Sequence, residues 1–222
     1  MGTVLASTII SKAQIVLNDV DGVRWTSDEL IGWLCDGQRE IVIHKPNAYV
    51  KNENMQLVAG TLQSLPDDGV QLIDVVKNST GRVIRITGRE TLDAANPNWH
   101  TSTASKVVKH YMYSMLDSKH FWVYPPQPTS SPGIVKLIYC ANPPDITSDD
   151  AISVDDIYQT ALLDYVLYRA FNKDTEFAPD TNRAATHYGA FMASLGGKAK
   201  VEVSVSPNAV APATSSLQPI AS

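Results

Sequence analysis

The 222-residue chain has little of what secreted scaffolds, membrane proteins and enzymes are built from. It has two cysteines, Cys35 and Cys140, in unrelated segments. Neither sits in a CxxC pair or at metal-ligand spacing from a histidine, so buried reduced thiols are expected and a disulfide framework is not. No apolar run approaches the ~18–20 residues that cross a bilayer, and no basic start leads into an apolar core with a small-residue cleavage site. These absences predict a soluble protein made in the cytoplasm, with no membrane partner. Positive charge is also scarce: 18 Lys and Arg face 23 Asp and Glu, for a net charge of −5. A specific nucleic-acid binder normally shows a basic patch or a basic balance, and the chain reads as having neither. Its acidity still suits a protein that sits near DNA without gripping it.

Reactive constellations are missing as well. The five histidines (His44, His100, His110, His120 and His187) include no i, i+4 pair and no neighbour with ligand spacing. His110 and His120 would face each other across a predicted hairpin, where ordinary strand polarity explains them better than a metal. Asp19-Val20-Asp21-Gly22 has its glycine too early for a calcium loop, so it reads as a helix-ending turn. Gly196-Gly197-Lys198 lacks the spaced glycine of a phosphate loop. Asp149-Asp150 and Asp155-Asp156 are paired carboxylates, but at a helix start they suit the macrodipole. No catalytic residue, metal ligand or cofactor is therefore predicted.

What is present is patterning. Residues 3–18 carry Ile9, Ile10, Ala13, Val16 and Leu17 at helical spacing. Thr26 and Glu29 form a capping box, with Trp25 and Leu30 placed as a hydrophobic staple. Leu30, Trp33, Leu34 and Ile41 then make a buried stripe that Pro46 ends. From about 48 to 141 the texture is strand-like, in short runs at 55–59, 72–76, 83–86, 107–112, 121–124 and 134–139. Residues 116–119 read as a hairpin connection, and 89–95 as a short helix stopped by Asn96-Pro97. Helices return with Asp155 or Asp156 as cap, running to about Lys173. Ala184, Ala185, Tyr188, Phe191, Met192 and Leu195 then mark an antiparallel neighbour that Gly196-Gly197 ends.

The expected fold class is α+β. A helical bundle of about four helices carries an inserted small antiparallel β-domain and an extended C-terminal tail. The expected divisions are N-terminal helices over 1–47, a β-rich insertion over 48–147, a helical pair over 148–197 and a tail over 198–222. Asp164 and Arg169 stand in an otherwise apolar helix beside Tyr165 and Tyr168. Unpaired burial would cost several kcal/mol, so they are paired or face a neighbouring subunit. In the tail, Val201, Val203 and Val205 alternate with polar residues ahead of Pro207. That pattern suits addition as a strand to a partner, and too little apolar surface is there to fold alone.

The ordered set of segments resembles the head-to-tail adaptor proteins of tailed phages. The resemblance is carried by Arg24-Trp25, Glu29-Leu30, Trp33-Leu34, Asp36-Gly37-Gln38-Arg39, Leu57-Val58-Ala59-Gly60-Thr61 and Gln63-Ser64-Leu65-Pro66. It continues through Leu72-Ile73-Asp74-Val75-Val76, residues 139–144, Ile157-Tyr158, Ala161-Leu162, residues 164–170 and Arg183-Ala184-Ala185. It covers about residues 3–196 in one collinear order. The resemblance implies a non-enzymatic virion protein, commonly a ring of twelve subunits beneath the portal, between head and tail. It also implies a downstream tail or nozzle protein as partner, a channel through which double-stranded DNA passes without sequence-specific binding, and a C-terminal tail laid along the portal.

Overall fold

The computed structural model describes residues 2–173 and 178–205, with 178–180 and 197–205 described by backbone alone. The fold is α+β. Helices α1 (Ala6–Leu17) and α2 (Ser27–His44) come first. Strands β1 (Val50–Gln56), β2 (Gly60–Ser64), β3 (Gly69–Asn78) and β4 (Arg85–Ile86) follow, then a short helix α3 (Arg89–Ala95). Strands β5 (His110–Tyr113), β6 (His120–Gln127) and β7 (Ile134–Ala141) precede the long helices α4 (Gln159–Lys173) and α5 (Ala178–Val205).

The start of α2 follows the capping rule on one side only. Thr26 Oγ1 accepts from the Glu29 backbone N–H at 3.4 Å, while the Glu29 carboxylate takes Lys173 Nζ at 2.8 Å. Glu29 thus ties α2 to the end of α4 rather than closing the box. Trp25 is buried, and its ring N–H donates to the Ala170 carbonyl at 3.3 Å. The turn before it is braced by Asp19, whose carboxylate accepts from the backbone N–H groups of Val23, Arg24 and Trp25. Those bonds hold the Asp19 carboxyl below its ordinary pKa, the Trp25 contact most of all.

Among the described residues the strands form two sheets. One has the order β1-β7-β3; the other has β2-β6-β5-β4. The pairings are antiparallel except for β4, which runs parallel to β5 and departs from the expected all-antiparallel insertion. β2 was not foreseen as a strand, because Gly60-Thr61-Leu62-Gln63-Ser64 opens on glycine and has a single β-branched residue. The β5–β6 hairpin is as expected, but its register sets His110 opposite Tyr124 and places His120 opposite Ser64. His110 and His120 therefore do not face each other. Buried side chains of α1, α2, α4, α5 and both sheets form one continuous core. Cys35 and Cys140 are both free and buried, Cys140 within this core, and burial raises both thiol pKa values.

The expected stop at Gly196-Gly197 is corrected: α5 runs through both to Val205. Glycine lowers helix stability by ~1 kcal/mol but removes no backbone hydrogen bond. A helix anchored just upstream by the buried Phe191 and Leu195 passes through it. The alternating Val201, Val203 and Val205 consequently lie on helical backbone, not on a strand. Pro207 and the rest of the expected tail lie outside the described residues.

Candidate interaction surfaces

The α4–α5 seam is built from aromatic pairs. Tyr165 meets Phe191 with ring centroids 5.2 Å apart, Tyr168 meets Tyr188 at 4.9 Å, and Phe171 stacks on His187 at 5.7 Å. Partner numbers fall along α5 as they rise along α4, so the helices are antiparallel. Asp164 and Arg169 of α4 are both accommodated within the chain. Asp164 Oδ1 lies 2.9 Å from His187 Nδ1. Arg169 reaches Asp36 at 3.5 Å and donates to the Tyr165 hydroxyl at 3.4 Å. Burial raises the Tyr165 pKa, and the Arg169 contact partly opposes that. Tyr165 is closed into the core, whereas Tyr188 stays exposed at the end of the aromatic run.

The paired carboxylates have separate tasks. Asp155 caps the turn into α4 by accepting from the Ile157 N–H at 3.0 Å. Asp156 grips the chain's beginning instead: its carboxylate accepts from the Thr3 N–H and hydroxyl, both at 2.6 Å, and from the Val4 N–H at 3.0 Å. The Thr3 hydroxyl bond, followed by the two backbone bonds, holds the Asp156 pKa below its ordinary value. A carboxylate whose folded pKa is depressed stabilises the fold above the unfolded value, ~3.9, and loses that contribution as pH falls through the folded one. Hydrogen exchange at Thr3 and Val4 should therefore be slow at pH 6 and accelerate, relative to intrinsic rates, below about pH 4. Asp156→Asn should show fast exchange already at pH 6. Equal protection in both proteins at pH 6 would mean that this strap holds nothing.

In the β-rich part, buried amides fix the loops. Asn78 donates to the Arg82 and Val108 carbonyls and accepts from the Val108 N–H at 2.8 Å. Gln63 and Gln127 bind loop backbones in the same manner. Asn78-Ser79-Thr80 forms a turn, closed by the Gly81 N–H on the Asn78 carbonyl. That turn and the β4–β5 pairing bring Arg82, Arg85, Lys109 and His110 around one cleft of about 290 Å³, lined otherwise by Val83. No acidic side chain lines it. The sequence reading had found no basic patch, and the structure assembles one. Its members are split between two segments 24 residues apart (85 and 109), so only the parallel pairing of β4 with β5 unites them.

A second cleft, about 560 Å³, lies between α3 and the β5–β6 connection and includes Arg89, Asp93, Ser114, Asp117 and Trp122. Glu90 also lines it, and its other charges are engaged. Arg89 pairs with Asp93 at 3.5 Å and lies over the Trp122 ring, and Asp117 holds His120 at 2.7 Å. Ser114 Oγ accepts from the Leu116 N–H, and His120 Nδ1 is bonded to Asp117; among the described residues no hydrogen bond joins Ser114 to His120. Leu116 at this tip is wholly exposed. Among the described residues no group of three His, Cys, Asp or Glu side chains is placed to hold a metal ion. No described helix is long and apolar enough to cross a membrane.

Among the described residues the site geometry offers a basic cleft and an exposed apolar tip at Leu116. Among curated proteins none matches the chain. A family profile described as SU10 adaptor protein matches residues 5–213, from the residue before α1 to beyond the described backbone. The chain belongs to the SU10 adaptor family, a family of phage head-to-tail adaptor proteins.

Proposed function

We propose that this protein is the non-enzymatic subunit of a ring, twelve copies by analogy with the adaptors it resembles, that sits in the virion neck beneath the portal. The ring joins capsid to tail and continues the channel for double-stranded DNA. Family membership over residues 5–213 carries this reading, because it includes the helices, the strands and part of the C-terminal stretch. The aromatic α4–α5 seam supports it: Tyr168 and Tyr188 continue from the core toward the surface, where a neighbouring subunit would extend the packing around Asp164, Tyr165, Tyr168 and Arg169. The distal face would meet the next tail or nozzle protein.

In the same reading the stretch around Val201, Val203, Val205 and Pro207 docks on the portal by strand addition. Side chains two residues apart share one face of a strand but scatter around a helix. Docking in this manner therefore requires the last turns of α5 to unwind on the partner. Mixing the protein with purified portal rings and imaging the product tests the proposal. A ring of the protein capping the portal is the expected result. Binding confined to the distal tail end would overturn it in favour of a tail-completion protein.

A further inference from the structure

The chain's charge is segregated. Residues 75–136 hold eight Lys and Arg against three Asp and Glu, a net +5 within a chain of net −5. Residues 137–168 hold six Asp and no Lys or Arg. The structure places the Arg82 turn of the first segment against one end of β7, and the aspartates of the second segment follow its other end.

The basic end is the cleft of Arg82, Arg85 and Lys109. Among the described residues none of these three cations forms an ion pair. Their backbones are fixed. The Arg82 turn is pinned by Asn78 to Val108, and the Arg85 N–H donates to the Lys109 carbonyl at 3.2 Å. The same turn abuts the first residue of β7, where the Ser79 N–H donates to the Ile134 carbonyl at 2.8 Å. The acidic end begins just past the last residue of β7, with Asp145, Asp149, Asp150 and Asp155 all exposed; Asp145 is paired with Arg39, which a docking cation would have to share or displace, whereas among the described residues Asp149 forms no ion pair. Eight residues of β7 at ~3.4 Å each set the ends roughly 25 Å apart. The Debye length is ~8 Å at physiological ionic strength, so the two ends do not neutralise each other within one molecule.

A molecule positive at one end and negative at the other is complementary to a second copy of itself, and the contact is head-to-tail, the kind that closes rings. We infer that the Arg82–Arg85–Lys109 cleft of one subunit docks on the exposed carboxylates around Asp145 and Asp149 of the next. This inference rests on the ring proposed above and specifies its polarity. Paired guanidinium groups suit bidentate capture of carboxylates.

A charge swap tests it. R82E/R85E and D145K/D149K should each require at least about tenfold more protein to assemble on portal rings, or alone, than the wild type. An equimolar mixture of the two should assemble again, since every contact in an alternating ring is then complementary. Circular dichroism on each variant separates lost assembly from lost folding, and zero-length carbodiimide coupling of wild-type assemblies should join Lys109 to Asp145 or Asp149 of another copy. If the wild type forms no ring under any condition, the ring reading fails and this contact with it. If the wild type forms rings and the folded variants do so equally well, only this contact fails. Two folded, non-assembling variants that do not rescue each other also overturn it. So would R82E/R85E rings that assemble normally but no longer retain a short DNA duplex, which would make the cleft a phosphate-backbone surface instead.

Discussion

Phe191→Ala should cost about 3–5 kcal/mol of unfolding free energy, the range for removing a buried aromatic ring. Phe191 is fully buried on α5 and packs against Tyr165 and Tyr188. Its removal leaves a cavity under a tyrosine whose hydroxyl is already committed to Arg169, so the ring cannot swing in to fill the space. Domains of this size are stable by ~5–15 kcal/mol in total, and the loss is correspondingly large. Urea denaturation followed by tryptophan fluorescence reads it, because Trp25 is tied to Ala170 of the same helix layer. A midpoint shift equivalent to less than about 1 kcal/mol would mean that α5 packs far more loosely than its rings indicate.

Deleting residues 198–222 should do the reverse. The buried residues of α5 among those described end at Leu195, so the deletion removes no core side chain described in the fold. Stability should stay within about 0.5 kcal/mol of the full chain. Portal retention, in contrast, should fall on the order of 100-fold, because on the proposed reading it removes one of two linked contacts and the avidity they share. Replacing Val201, Val203 and Val205 together by aspartate, with the chain length kept, should reproduce that loss if they form one face of a docked strand. Full portal binding by both variants would place the contact elsewhere.

Local signals made the helices legible. Thr26 before Asp28-Glu29 gave the start of α2, and Asn96-Pro97 gave the end of α3, because each rests on chemistry within four residues. Periodicity placed Ile9, Ile10, Ala13 and Leu17 of α1 and Ala184, Phe191 and Leu195 of α5 correctly in the core, whereas Val16, Ala185 and Tyr188 are exposed. Three features were hidden because they depend on distant partners. β2 exists through its pairing with β6. The helix stop at Gly196-Gly197 was a local propensity outweighed by packing upstream. The basic cleft needed a parallel pairing between β4 and β5, and the net charge averaged over it. Its signal was nonetheless in the sequence: the sign of charge changes from one segment to the next, and counting by segment rather than by chain exposes it. Asp164 and Arg169 were recognised as needing partners, and His187 and Asp36 supply them.

The strands at the base of the β-rich part have a consequence for divergence. The backbone leaves the helices at Tyr49 and comes back at Ala141, and the Ala141 N–H donates to the Tyr49 carbonyl at 3.1 Å. Val50 pairs directly with Cys140. Departure and return are thus one strand spacing apart, the geometry in which inserted segments are best tolerated. Loops beyond that pair can lengthen or shrink without altering this junction, so long as the strands that share the core with the helices are kept. On the ring reading proposed above, such a junction would let one gauge of ring take different outer loops for different tails, much as a common flange takes interchangeable fittings.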